Sequence, residues 1–172
     1  MKISTSISFD GFKSKYSQKK LLKIFKDLAN SENQIIRSLS KSYKNSYNSK
    51  LISKLKKYSQ ISLIGIGGSS LGARSIYSFL KDKIKKKIIF LNDLNTKTLA
   101  LNTKKNNLNL IISKSGNTLE TIVNVNFFVK KNQKNIFITE DKDSYLRNLA
   151  DTFKDEIVSH NDFIGGRYSV LS

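Results

Sequence analysis

Ser113, Ser115 and Thr118 crowd three hydroxyl groups into a short stretch, Ile-Ile-Ser-Lys-Ser-Gly-Asn-Thr-Leu-Glu-Thr from Ile111 to Thr121, which leads an apolar run into a helical one. The chemistry such a turn can do is to hold an anion. The first N–H groups of a helix lack intrahelical acceptors and lie at the positive end of the macrodipole, so a phosphate placed there meets donors and a favourable field. The hydroxyls add neutral donors, Gly116 permits close approach or positive φ, and Asn117 and Glu120 stand in the N-cap and N3 relation of a capping-box variant.

A second turn, Gly65-Ile66-Gly67-Gly68-Ser69-Ser70-Leu71-Gly72, follows another apolar run. It is not a dinucleotide fingerprint: the third glycine of G-x-G-x-x-G would fall at Ser70, and Asp93 lies too far on for the ribose-binding acid. Nor is it a P-loop, since no Gly-Lys-Ser/Thr follows. Alone, it fits tight strand–helix packing as well as ligand binding. The sole histidine, His160, sits in a polar run and reads as an exposed loop residue.

The elements that must position these turns follow from periodicity. Apolar runs at Ile61–Ile66, Lys87–Leu91, Leu108–Ile112, Asn135–Thr139 and Glu156–Val158 read as strands, separated by helices over about 70–82, 96–106, 117–132 and 143–151. This alternation implies βαβ units and a parallel sheet covered on both faces. Both turns then fall at the carboxyl edge of that sheet, where open α/β sheets bind ligands. Ahead of it, Leu21, Leu22, Ile24, Phe25 and Leu28 recur at helical spacing, Ser31-Glu32-Asn33-Gln34 has capping-box form, and a further short helix begins near Leu51.

Composition narrows the function. The 172 residues suffice for one domain with a core; zero Cys excludes disulfides and a thiol nucleophile, and one His without Cys disfavours zinc. The net charge of +18 suggests nucleic acid, but arginine occurs only at Arg37, Arg74, Arg147 and Arg167. Dispersed lysine in a chain rich in Asn, Ile and Ser reads as solvated surface rather than a binding face. No signal-peptide core or long apolar span is present, so the expectation is a cytoplasmic protein with no cofactor or metal and neither nucleic acid nor membrane as partner.

Taken together, the two turns resemble the glucose-6-phosphate isomerase family, whose first sugar-isomerase (SIS) domain has a Gly-Ile-Gly-Gly-Ser-x-Leu-Gly turn and then a Ser-Lys-Ser/Thr-x-x-Thr-x-Glu-Thr phosphate loop. Gly65–Gly72 and Ser113–Thr121 match these in order, and Gly165-Gly166-Arg167-Tyr168-Ser169 matches the family's next signature. Thr139, Leu146, Ala150 and Asp151 fit the remainder of the pattern. The resemblance implies a flavodoxin-like three-layer α/β sandwich over residues 58–172, preceded by a helical segment over 1–57. It implies interconversion of glucose 6-phosphate and fructose 6-phosphate through a cis-enediol, a step of glycolysis and gluconeogenesis. Ser113, Lys114, Ser115 and Thr118 would belong to the phosphate site, Gly68 and Ser69 would contact the sugar, and Arg167 would face the reacting carbons. The family's catalytic glutamate, histidine and lysine come after the Gly-Gly-Arg signature, so the 172 residues are expected to be an N-terminal fragment that is inactive alone, and the resemblance implies a homodimer for the full-length protein. The rival expectation is a non-catalytic phosphosugar-binding module that senses or regulates.

Overall fold

The computed structural model describes residues 17–94 and 106–166. The helix expected over 96–106 and Arg167 therefore lie outside the described residues. Three helices come first, α1 (Gln18–Ala29), α2 (Gln34–Arg37) and α3 (Ser49–Leu55). Then follow β1 (Gln60–Ile64), α4 (Gly68–Leu80), β2 (Lys87–Leu91), β3 (Asn107–Ile112), α5 (Leu119–Phe128), β4 (Lys134–Glu140), α6 (Tyr145–Phe153) and β5 (Glu156–His160). The described helices and strands are each displaced by only a few residues from the periodicity reading. Among the described residues no helix is long and apolar enough to cross a membrane.

All five strands are parallel, in the order β2-β1-β3-β4-β5. Side chains of successive strand residues point to opposite faces, which separates two cores. On one face α5 and α6 lay Val125, Val129, Leu146 and Ala150 against Ile64, Ile111 and Phe137. On the other, α3 brings Leu51 onto Leu108 and Ile136, and α4 sets Tyr77 against Phe90 with ring centroids 5.9 Å apart. The chain leaves β1 in one direction to reach β2 and returns to build β3, β4 and β5 on the other side. Helices α4 and α5 consequently diverge to opposite faces from adjacent strands, the switch point at which such sheets open a crevice.

The first-face core is not wholly apolar, although the strand segments read as apolar runs in the sequence. Gln60 and Ser62 of β1 donate to Asn107 Oδ1, each at 3.1 Å; Asn107 donates to Asn109 at 2.7 Å; Asn109 donates to Asn135 at 2.8 Å; and Asn135 donates to Asp155 at 2.7 Å. The register places these residues level with one another at the amino edge of the sheet, Gln60 opposite Asn107 and Asn109 opposite Asn135. Burial disfavours the Asp155 carboxylate and raises its pKa, although the Asn135 amide partly offsets this.

The capping box expected at Ser31 is not formed. Asn33 caps α2 by accepting from Ile35 N at 2.9 Å, while Glu32 pairs with Arg37 at 3.2 Å on the surface. Helix α1 keeps its periodic apolar residues but buries none of them; Phe25 is 67% exposed.

Candidate functional site

Both turns singled out in the sequence lie at the carboxyl ends of neighbouring strands, β1 and β3, and each opens a helix. The strands can converge there because Gly65 has no side chain: a Cβ on it would meet the Ile112 carbonyl oxygen at 2.7 Å. The chain then reverses through Gly67 at φ 57°, a region that glycine enters without steric cost. Gly67 caps α4 without any side-chain bond, and the first turn of α4 contains no acidic residue. Ser69 N and Ser70 N turn back onto the Ile66 and Gly67 carbonyls at 3.2 and 3.1 Å, so what α4 offers the crevice is chiefly the positive end of its dipole, uncompensated by any first-turn acid.

The second turn brings its hydroxyls together. Thr118 Oγ1 lies 3.0 Å from Ser113 Oγ and 3.4 Å from Ser115 Oγ, and Ser115 Oγ accepts from Asn117 N at 3.2 Å. Thr118 is the N-cap of α5, yet it makes no side-chain capping bond, and the helical ladder begins with Ile122 N donating to Thr118 O at 3.0 Å. The earlier first-turn amides and three convergent hydroxyls thus form one donor-rich cradle. Two buried hydroxyls beside it, Thr121 Oγ1 and Ser144 Oγ, have no hydrogen-bond partner among the described residues.

The expected pairing of Asn117 with Glu120 gives way to a longer-range one. Asn117 Oδ1 accepts from Tyr145 N at 2.8 Å and Gly116 O accepts from Leu146 N at 3.1 Å, so the turn caps α6 instead of α5. Gly116 adopts φ 67° and lies so close to α6 that a Cβ would stand 2.1 Å from Ser144 Oγ. The conformation of the cradle is therefore fixed by the next helix in the chain.

Lys114 sits in this turn, but its ammonium points down to Glu140 at 3.2 Å and donates to the Asp162 carbonyl at 2.6 Å. Lys142 pairs with the other Glu140 oxygen. The hydrogen bond from Lys142, reinforced by Lys114, outweighs burial and holds the Glu140 carboxyl below its ordinary value. Sequence reasoning missed Glu140, whose only local signal was a charge at the end of a strand.

Gly68 and Ser69 line a cavity of about 240 Å³ floored by Ile112, Ile138 and Val158. His160 also lines it, which corrects the reading as an exposed loop residue: it ends β5, is half-buried, and places Nδ1 2.7 Å from the Asn161 carbonyl oxygen. The structure thus brings Gly68 and Ser69 to one strand end and Ser113, Ser115 and Thr118 to the adjacent one, with Lys114 turned aside.

Comparison with known proteins agrees with this geometry. The family model for the SIS domain matches residues 54–170. Glucose-6-phosphate isomerase of Borreliella burgdorferi is 35% identical over 135 residues, 68% of this chain and 25% of that protein. The enzyme of the same name from Acholeplasma laidlawii is 37% identical over 144 residues, 72% of this chain and 33% of that protein. The chain therefore spans a quarter to a third of the length of these curated relatives. The sugar isomerase domain of the RpiR transcription factor from Sphaerobacter thermophilus shares the fold with a TM-score of 0.54 at 15% identity, over 90% of this chain and 86% of that one. The motifs, the sheet and the family match together place this chain in the SIS-domain family.

Proposed function

We propose that this chain forms the phosphosugar-anchoring layer of an aldose–ketose isomerase acting on glucose 6-phosphate and fructose 6-phosphate. The observation that carries the reading is the adjacency of two helix N-termini at the β1/β3 switch point, one of them carrying the Ser113, Ser115 and Thr118 hydroxyls. The similarity to glucose-6-phosphate isomerases selects the sugar phosphate among the anions that such a cradle would accept.

In this reading the α5 amides and the three hydroxyls hold the phosphate, and Gly68 and Ser69 contact the sugar chain. Isomerisation moves a proton between adjacent carbons and develops negative charge on the enediolate oxygens, so it needs a base and a cation as well as an anchor. Arg167, just past Gly165 and Gly166, is the candidate cation. Glu120, in the first turn of the phosphate-loop helix, is not assigned as the base. The chain is expected to bind glucose 6-phosphate without turning it over by itself.

Calorimetric competition tests this. Glucose 6-phosphate and fructose 6-phosphate are expected to displace inorganic phosphate from one site, while glucose does not compete, and a coupled assay on the 172-residue chain is expected to show no isomerisation. Turnover near that of an intact isomerase, or sugar phosphates failing to displace phosphate, would sink the proposal.

A further inference from the structure

We infer that Lys114 is a positioning residue, which locks the phosphate loop onto the segment entering Gly165 and Gly166, and is not a direct phosphate ligand. The inference rests on the proposed function in taking the Ser113–Thr118 turn as the phosphate loop.

Residue 114 is held at both ends. Its carbonyl accepts from Glu140 N at 3.0 Å and from Thr139 Oγ1 at 3.3 Å, which ties the loop backbone to the end of β4. Its ammonium spans to Glu140 at 3.2 Å and to the Asp162 carbonyl at 2.6 Å. The Glu140 side chain is only 7% exposed, so its charge depends on the cations beside it. Turning Lys114 toward a ligand would leave that carboxylate with Lys142 alone and strip Asp162 of its donor. The bond to Asp162 is also well placed to act at a distance. Asp162 lies between Asn161, which donates to Tyr43 Oη, and Ile164, which is 1% exposed, so the segment is gripped on each side of it. A shift of the Asp162 carbonyl would pass to Gly165 and Gly166 within a few residues.

The test measures inorganic phosphate affinity and amide hydrogen exchange on the 172-residue chain for wild type, K114M, K114R and E140Q. In K114M, phosphate affinity is expected to stay within about threefold while exchange at residues 161–166 accelerates about tenfold or more; E140Q should accelerate it less and K114R least, since Arg keeps the cation. Exchange in β3 and β4 reports whether each variant is folded. Unchanged exchange at 161–166, or a loss of about tenfold or more in phosphate affinity, overturns the inference. Should wild type bind no phosphate, the proposed function fails on its own account, and exchange alone still decides whether Lys114 holds that segment.

Discussion

The two edges of the sheet use the same kinds of polar residue in opposite ways. At the amino edge, Gln60, Ser62, Asn107, Asn109 and Asn135 are all buried and donate to one another in a line that ends on Asp155. At the carboxyl edge, Ser115 is exposed, Thr118 is half-buried, and the helix-opening residues Gly67 and Thr118 provide no side-chain caps. Gln60 Oε1 alone of this line has no partner among the described residues; the other groups satisfy each other and so specify register, because a slip by one residue would bury them unpaired. Those left facing solvent at two helix N-termini can accept a ligand at little reorganisation cost. The difference teaches that hydrogen-bonding groups gathered at solvent-facing helix starts, more than polarity itself, mark the functional edge.

The harshest way to break this contrast is G116A. At φ 67° and with Ser144 in the space a Cβ would take, it should cost about 2–4 kcal/mol and abolish phosphate binding, as read by denaturant melts and calorimetry. N109L attacks the other edge: it strands the Asn107 donor and the Asn135 acceptor and should cost about 2 kcal/mol, while phosphate affinity stays within about twofold. T118A should invert that pattern, lowering phosphate affinity about tenfold while costing only about 1 kcal/mol of stability, because the Thr118 side chain caps nothing and loses chiefly its bond to the buried Ser113 hydroxyl.

The smallest effect is expected at Asp155. Its pKa is raised above 3.8, so the folded state takes up a proton before the unfolded chain does; stability therefore falls as pH rises through that window and the penalty is complete at neutral pH. D155N keeps an acceptor for Asn135 and removes the charge, and should raise the melting temperature by about 1 °C near pH 7 with no gain below about pH 3, since solvent screens much of the penalty.

The fold was legible because glycine and hydroxyl punctuation at Gly65–Gly72 and Ser113–Thr121 marks where strands end and helices begin, and both turns lie where periodicity placed them. The amino-edge network was not, because Asn109 and Asn135 look like surface residues until the register sets them side by side. The partner of Asn117 was hidden for a similar reason: Tyr145 N is 28 residues away, and a local capping box is the nearer guess. The direction of Lys114 depends on Glu140, which only the pairing of β3 with β4 brings beneath it.

Amide chemical-shift mapping of the chain titrated with glucose 6-phosphate tests the central claim most directly. The account predicts that saturable shifts concentrate at residues 115–121 and 67–70, the ends of α5 and α4, and that the Gln60–Asn135 network stays unperturbed. Shifts scattered over the surface lysines, or centred on the amino edge, would contradict it.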